Sequence, residues 1–174
     1  MFSEKEQKST QEKLEQLKKV KEGIWTFQWL SNLITQRRIR WVQEHLDEML
    51  TKYNGLTPEE QAYKIIFLDY MNINPEHSKM IRISPRKIKI ESYNFCPYLE
   101  ACHHLGLDTK HICKDIGEPS IQGMVEIINP NLRFSRNYSN IRPNNDFCEE
   151  YIELLEPKSN DSILTSFNQL TETF

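Results

Sequence analysis

Four cysteines, Cys96, Cys102, Cys113 and Cys148, all fall in the second half of this 174-residue sequence. The first lies in Asn94-Phe95-Cys96-Pro97-Tyr98-Leu99-Glu100. Proline suits the first position of a helix, because its missing N–H has no partner there anyway. That makes Cys96 the N-cap residue, next to free backbone N–H groups and the positive end of a helix dipole, which favour a thiolate. Helical spacing from Cys96 puts Glu100 and His103 on its side, with His104 nearby. It sends Tyr98, Leu99, Cys102 and Leu105 to an opposite, apolar side. A thiol, a carboxylate and an imidazole on one face are the parts of an activated nucleophile and its acid–base partner. The plainer alternative is a small buried cysteine beside a solvated His-His pair.

Metal chemistry is a second possibility. His103, His104, His111 and Cys113 supply enough nitrogen and sulfur for zinc. Their spacing contains no Cys-x2-Cys pair, so the expectation is no metal and no cofactor, with zinc as the alternative. Cys148 points with Ile152 and Leu154 to the expected core. It reads first as a buried strand cysteine, although a strand end and a helix start can border one pocket. Arg37, Arg38 and Arg40 beside Trp41 read as a solvated helix face, not a nucleic-acid patch, in a chain of net charge −3. Trp25, Phe27 and Trp29 read as core or lid, with pocket wall as the alternative.

These residues need elements to hold them. Residues 3–20 are strong helix formers with few apolar side chains and predict a polar leading helix. After Gly23, Ile24, Phe27, Leu30 and Ile34 recur at steps of three and four. Trp41, Val42, Leu46, Met49 and Leu50 continue the pattern, giving one long helix over 24–53 that stops at Asn54-Gly55. Thr57-Pro58-Glu59-Glu60 is a capping box opening a third helix, which runs to Asn74-Pro75. From Met80 the period becomes two. Ile81, Ile83, Ile88 and Ile90 are expected on one face and Lys87, Lys89 and Glu91 on the other, with Pro85 at an edge, bulge or turn. Short helices over 96–105, 109–114 and 120–128 follow, closed by Gly106 and by Asn129-Pro130. A hairpin of strands over 132–138 and 147–155 then flanks a turn-rich segment. The tail beyond Pro157 carries Ile163, Leu164, Phe167 and Leu170 at helix-like spacing.

The expected fold is therefore α+β. N-terminal helices, one of them long and Trp-rich, pack on a small antiparallel sheet, with short helices inserted around a pocket. One domain is expected over 1–174, comprising a helical half (1–78), an α+β half bearing the site (79–156) and a tail (157–174). Hydrophobic residues make up 38% and charged residues 27%, as in a globular protein with a polar surface. No apolar run reaches the roughly 20 residues of a membrane span, and the polar N-terminus lacks a signal-peptide core. These features predict a cytoplasmic protein with reduced thiols and without membrane or nucleic-acid partners.

The stretch Tyr93 to Ala101, then Leu105-Gly106-Leu107, Cys113, Asn129-Pro130 and Asn145-Asp146-Phe147-Cys148-Glu149, resembles the L-2-amino-thiazoline-4-carboxylic acid hydrolase family. The closing segment is also similar to 4-vinyl-reductase-type small-molecule-binding domains. The resemblance spans roughly residues 81–155. Those relatives place Gly-Asp before the last cysteine, where this chain has Asn145-Asp146, so the turn differs. The resemblance implies an α+β fold around a small-molecule pocket and hydrolysis of a C–N bond in a thiazoline, amidine or amide-like substrate, or the reverse cyclisation. It makes Cys96 the candidate nucleophile and Cys113 and Cys148 candidate substrate-binding residues. The residue reading adds Glu100 and His103 moving protons, and Asp146 and Tyr98 as further candidate substrate-binding residues, while the Cys102-His103-His104 cluster is not part of the family pattern. A binding or sensing module that turns nothing over, dimeric through the long helix, is the alternative.

Overall fold

The computed structural model describes residues 3–156; the expectations for the tail beyond Pro157 lie outside them. Helix α1 (Glu4–Lys21) starts at a capping box, in which the Ser3 hydroxyl accepts from the Glu6 N–H at 3.3 Å while the Glu6 carboxylate accepts from the Ser3 N–H at 2.8 Å. Its one fully buried leucine is Leu17. Helix α2 (Phe27–Lys52) begins three residues later than the periodicity suggests, because Thr26 is the N-cap and accepts from the Trp29 N–H at 3.0 Å. Ile24 therefore sits in the turn after Gly23 and is exposed, not part of the buried stripe. Helix α3 (Pro58–Tyr63) follows its own capping box and widens into a π-type stretch over Lys64–Tyr70. Ile65, Ile66 and Phe67 are all buried there.

Strands β1 (Ser78–Ser84) and β2 (Lys87–Ser92) form a hairpin about Pro85, one of the placements its sequence allows. The pairing register corrects one expectation. Arg82 lies opposite Ile88 and Met80 opposite Ile90, so Met80 and Arg82 share the inner face while Ile81 and Ile83 turn outward; Ile83 is half exposed. Helix α4 (Pro97–Leu105) ends at Gly106, whose φ of 61° is the left-handed conformation glycine adopts without strain. The two expected helices after it are one continuous rod: α5 (Thr109–Ile112), a π-type stretch (Cys113–Gly117) and α6 (Glu118–Ile128). Strands β3 (Leu132–Arg136) and β4 (Cys148–Leu154) pair antiparallel, and β4 also pairs with β2, so the sheet order is β1-β2-β4-β3.

The fold is α+β, with helices covering one face of this antiparallel sheet. One core joins that face to α2, α3 and α6 through Val42, Phe67, Ile88, Ile90, Met124, Leu132, Phe134 and Ile152. Helices α2 and α6 approach closely because residue 123 is glycine. A Cβ there would lie 3.1 Å from methyl carbons of Thr35 and Ile39. A second core ties α1 to the start of α2, α4 and α5 through Leu17, Leu30, Ile34, Tyr98, Cys102, Ile112 and Ile116. A cavity lies where the two cores meet, taking wall residues from both.

Candidate functional site

Strand alternation builds one wall of the cavity. Cys148, Glu150, Ile152 and Leu154 share a face of β4, and their partners on β3 and β2 share it too. Ile152 lies between Ile88 and Phe134, a dry apolar row. Two residues towards the start of β4, Glu150 lies opposite Arg136, and Cys148 opposite Ser92. The inner face thus turns polar where it leaves the core and meets the cavity, whose volume is about 720 Å³. That lies in the range of small-molecule sites.

In this polar row the Arg136 Nε donates to Glu150 at 2.7 Å, with side chains only 11% and 5% exposed. The Ser92 hydroxyl donates to the other Glu150 oxygen at 2.8 Å. Burial disfavours the Arg136 charge, and the facing carboxylate outweighs it and keeps the guanidinium protonated. The segment before β4 contributes Arg142, which donates to the Asn94 carbonyl at 2.6 Å and to the Cys148 Sγ at 3.5 Å. Arg142 has no carboxylate partner among the described residues.

Cys96, Cys113, Cys148 and Tyr98 all line this cavity, from three different elements. Glu100 and His103 do not. They line a separate shallow groove with Leu99, Cys102, Gly106 and Thr109. The expected thiol–carboxylate–imidazole face is therefore not assembled, for a local reason. Cys96 has extended backbone (φ −127°, ψ 108°), so helical spacing does not project its side chain. It sits with Tyr98, which spacing had sent to the opposite side. The expected thiolate is also reversed: burial pushes the Cys96 thiol pKa up, and the Leu99 backbone N–H and the Arg142 and Arg136 charges oppose this without prevailing. Burial likewise raises Cys113 to about 12 and Cys102 to about 11. Asp146 is exposed in the turn before β4 and is not on the cavity wall.

The zinc alternative is not gathered either. His103 and His104 are neighbouring exposed rings, His111 pairs with Asp115 at 3.1 Å on the surface, and Cys113 faces the cavity. No three His, Cys, Asp or Glu side chains cluster to hold a metal among the described residues. Trp25 and Phe27 pack in the second core and Trp29 is exposed, so none of the three walls the cavity. Arg37 and Arg38, read as part of a solvated face, also border the cavity; Arg37 is exposed there and Arg38 half-buried. Arg136, Glu150, Ser92 and Arg142 were also missed. The period-two pattern carries the first two, since each falls in an inward register position between apolar neighbours.

No helix among the described residues is long and apolar enough to cross a membrane. No protein-family model matches the chain, and no curated protein matches it. Among solved structures, the chain is similar to a trafficking protein particle complex subunit 3 from Naegleria fowleri, covalently bound to palmitic acid. The two share 15% identity, the TM-score is 0.51, and the match covers 86% of this chain and 96% of the other. At that identity the likeness shows a common α+β fold.

Proposed function

We propose that this protein binds a small amphipathic molecule in the cavity between its two cores and does not turn it over. The observation that carries the reading is the make-up of the wall: three cysteines and four guanidiniums meet apolar side chains around about 720 Å³, while the expected acid–base residues line another groove. Thiols whose pKa is raised stay neutral near pH 7 and are poor nucleophiles without an adjacent base. The one carboxylate on the sheet wall, Glu150, is already engaged by Arg136 and Ser92. The similar trafficking subunit is described as covalently bound to palmitic acid, which supports an acyl chain among the ligands worth trying first. The test is thermal unfolding and mass spectrometry with a ten-carbon amphipath. The reading expects a higher Tm and the probe recovered unchanged. An unchanged Tm with the probe, or its conversion, would overturn it.

A second reading follows from Cys96, which opens onto the cavity from a helix start beside Arg142. It keeps the hydrolase that the sequence resemblance implies, with Cys96 attacking a thiazoline, amidine or amide carbon and helix N–H groups holding the developing charge. Turnover of such a substrate, abolished by Cys96→Ser, would establish it. Undiminished turnover in that variant would remove it. Dimerisation through α2 belongs to either reading, and sedimentation showing a monomer at all concentrations would exclude it.

A further inference from the structure

The cavity has a second polar end, formed by α1 and α2, that neither the thiols nor the sheet explains. Four cationic side chains border it, Lys5, Lys13, Arg37 and Arg38, against two carboxylates, Glu6 and Glu12. Glu6 is turned back onto its own helix start by Ser3. Glu12 is shared between Lys13 at 3.2 Å and Arg37 at 3.6 Å. Arg38 has no carboxylate partner among the described residues; it donates to the Ser120 hydroxyl at 2.8 Å and stacks its charge over the Tyr70 ring at 5.9 Å. Beside this group lies Tyr98, with Lys13 Nζ 5.3 Å from its ring centroid. The Tyr98 hydroxyl is buried and has no hydrogen-bond partner among the described residues. A buried hydroxyl donor left unpaired costs free energy that an incoming acceptor recovers. An excess of cations concentrated in a partly buried site, in a chain of net charge −3, is costly until an anion enters.

Resting on the binding reading above, we infer that the α1–α2 end of the cavity is an anion subsite, in which Lys13, Arg38 and the Tyr98 hydroxyl receive the carboxylate of an amphipathic ligand whose apolar part lies against Phe67, Ile112 and Ile121. Those three apolar side chains line the same cavity and are buried. Burial lowers the Lys13 pKa, and the Arg38 and Arg37 charges lower it further, against Glu12. A ligand carboxylate relieves that mutual repulsion. Charge-assisted hydrogen bonds of this kind are the strong ones.

The test is a calorimetric titration of the protein with three ten-carbon probes: decanoate, 1-decanol and decylamine. Decanoate is expected to bind at least about tenfold tighter than decanol, with decylamine weakest. Tyr98→Phe is expected to weaken decanoate several-fold while leaving decanol unchanged. Because it deletes an unpaired buried hydroxyl, it is also expected to raise the Tm of the ligand-free protein, which separates loss of a ligand contact from loss of folding. Arg38→Gln is expected to erase the preference for decanoate. Equal binding of decanoate and decanol by the unaltered protein would overturn the anion subsite while leaving the cavity reading intact. Failure of all three probes to bind would overturn both.

Discussion

The Arg136 Nε lies 2.7 Å from a Glu150 oxygen across two paired strands, with both side chains almost wholly withdrawn from solvent. This pair marks the line where the sheet stops being core and becomes cavity wall. Removing one partner of a buried pair leaves a charge with nothing to balance it, at a cost of about 3–5 kcal/mol. Arg136→Met is therefore expected to lower the Tm by roughly 2–4 °C for each kcal/mol lost. Adding Glu150→Gln is expected to restore much of the loss, since neither charge is then buried alone. Thermal unfolding of the two single variants and the double variant checks it. Additive losses would mean that the pair is not coupled.

Gly117 provides a geometric check on the same pair. A Cβ on residue 117 would lie 2.6 Å from the Arg136 Nη1, so Gly117→Ala forces the guanidinium that binds Glu150 to shift. The expected cost is about 1–2 kcal/mol. Made in the Arg136→Met background, the same change removes no such contact and gains helix propensity of up to about 1 kcal/mol. A reversal of sign between the two backgrounds, measured by denaturant unfolding, is the expected result.

Glu59 tests burial in the other half of the molecule. It is 1% exposed, and its Oε1 accepts from Arg82 Nη1 at 2.8 Å, while Oε2 has no partner among the described residues. Arg82 also binds Glu60 at 2.8 Å and holds that carboxyl below its ordinary range. Arg82→Met is expected to destabilise by about 3 kcal/mol, because it strands the Glu59 carboxylate. Glu59→Gln in that background is expected to recover part of the loss.

The thiols predict a pH dependence at the alkaline end. Burial raises Cys113 from 9.0 to about 12 and Cys102 to about 11. A folded-state pKa above the unfolded one means that the unfolded chain loses its proton first. Stability is thus fully present below pH about 9 and falls as pH rises towards 12. Cys113→Ala is expected to flatten this fall by nearly one proton equivalent. An unchanged slope would show that the thiol titrates normally.

The elements were legible because each has a local physical cause: the capping boxes at Ser3 and Thr57, Pro97 at a helix start, Gly106 at its end, and the shift to period two at Met80. The convergence of Cys96, Cys113 and Cys148 was legible only in part, from their common confinement to the second half. What failed was extending helical spacing to an N-cap residue, whose backbone is not helical. That single step misplaced Glu100 and His103 relative to Cys96 and Tyr98. Arg136 and Glu150 escaped notice because each is the polar member of an inward series, Leu132-Phe134-Arg136 and Cys148-Glu150-Ile152. A polar residue at an inward position is where a core gives way to a site. Arg38 escaped because nothing local distinguishes a solvated arginine from one bordering a cavity formed by distant helices.

The most direct test of a ligand in this cavity is protection of its sulfurs. Each cysteine's alkylation by a small maleimide is followed by mass spectrometry, with and without saturating decanoate. The account predicts slower labelling of Cys96, Cys113 and Cys148, which line the cavity, and unchanged labelling of Cys102, which lines the other groove. Labelling of the three cavity thiols that is indifferent to the probe, under conditions where calorimetry shows the probe bound, would contradict it.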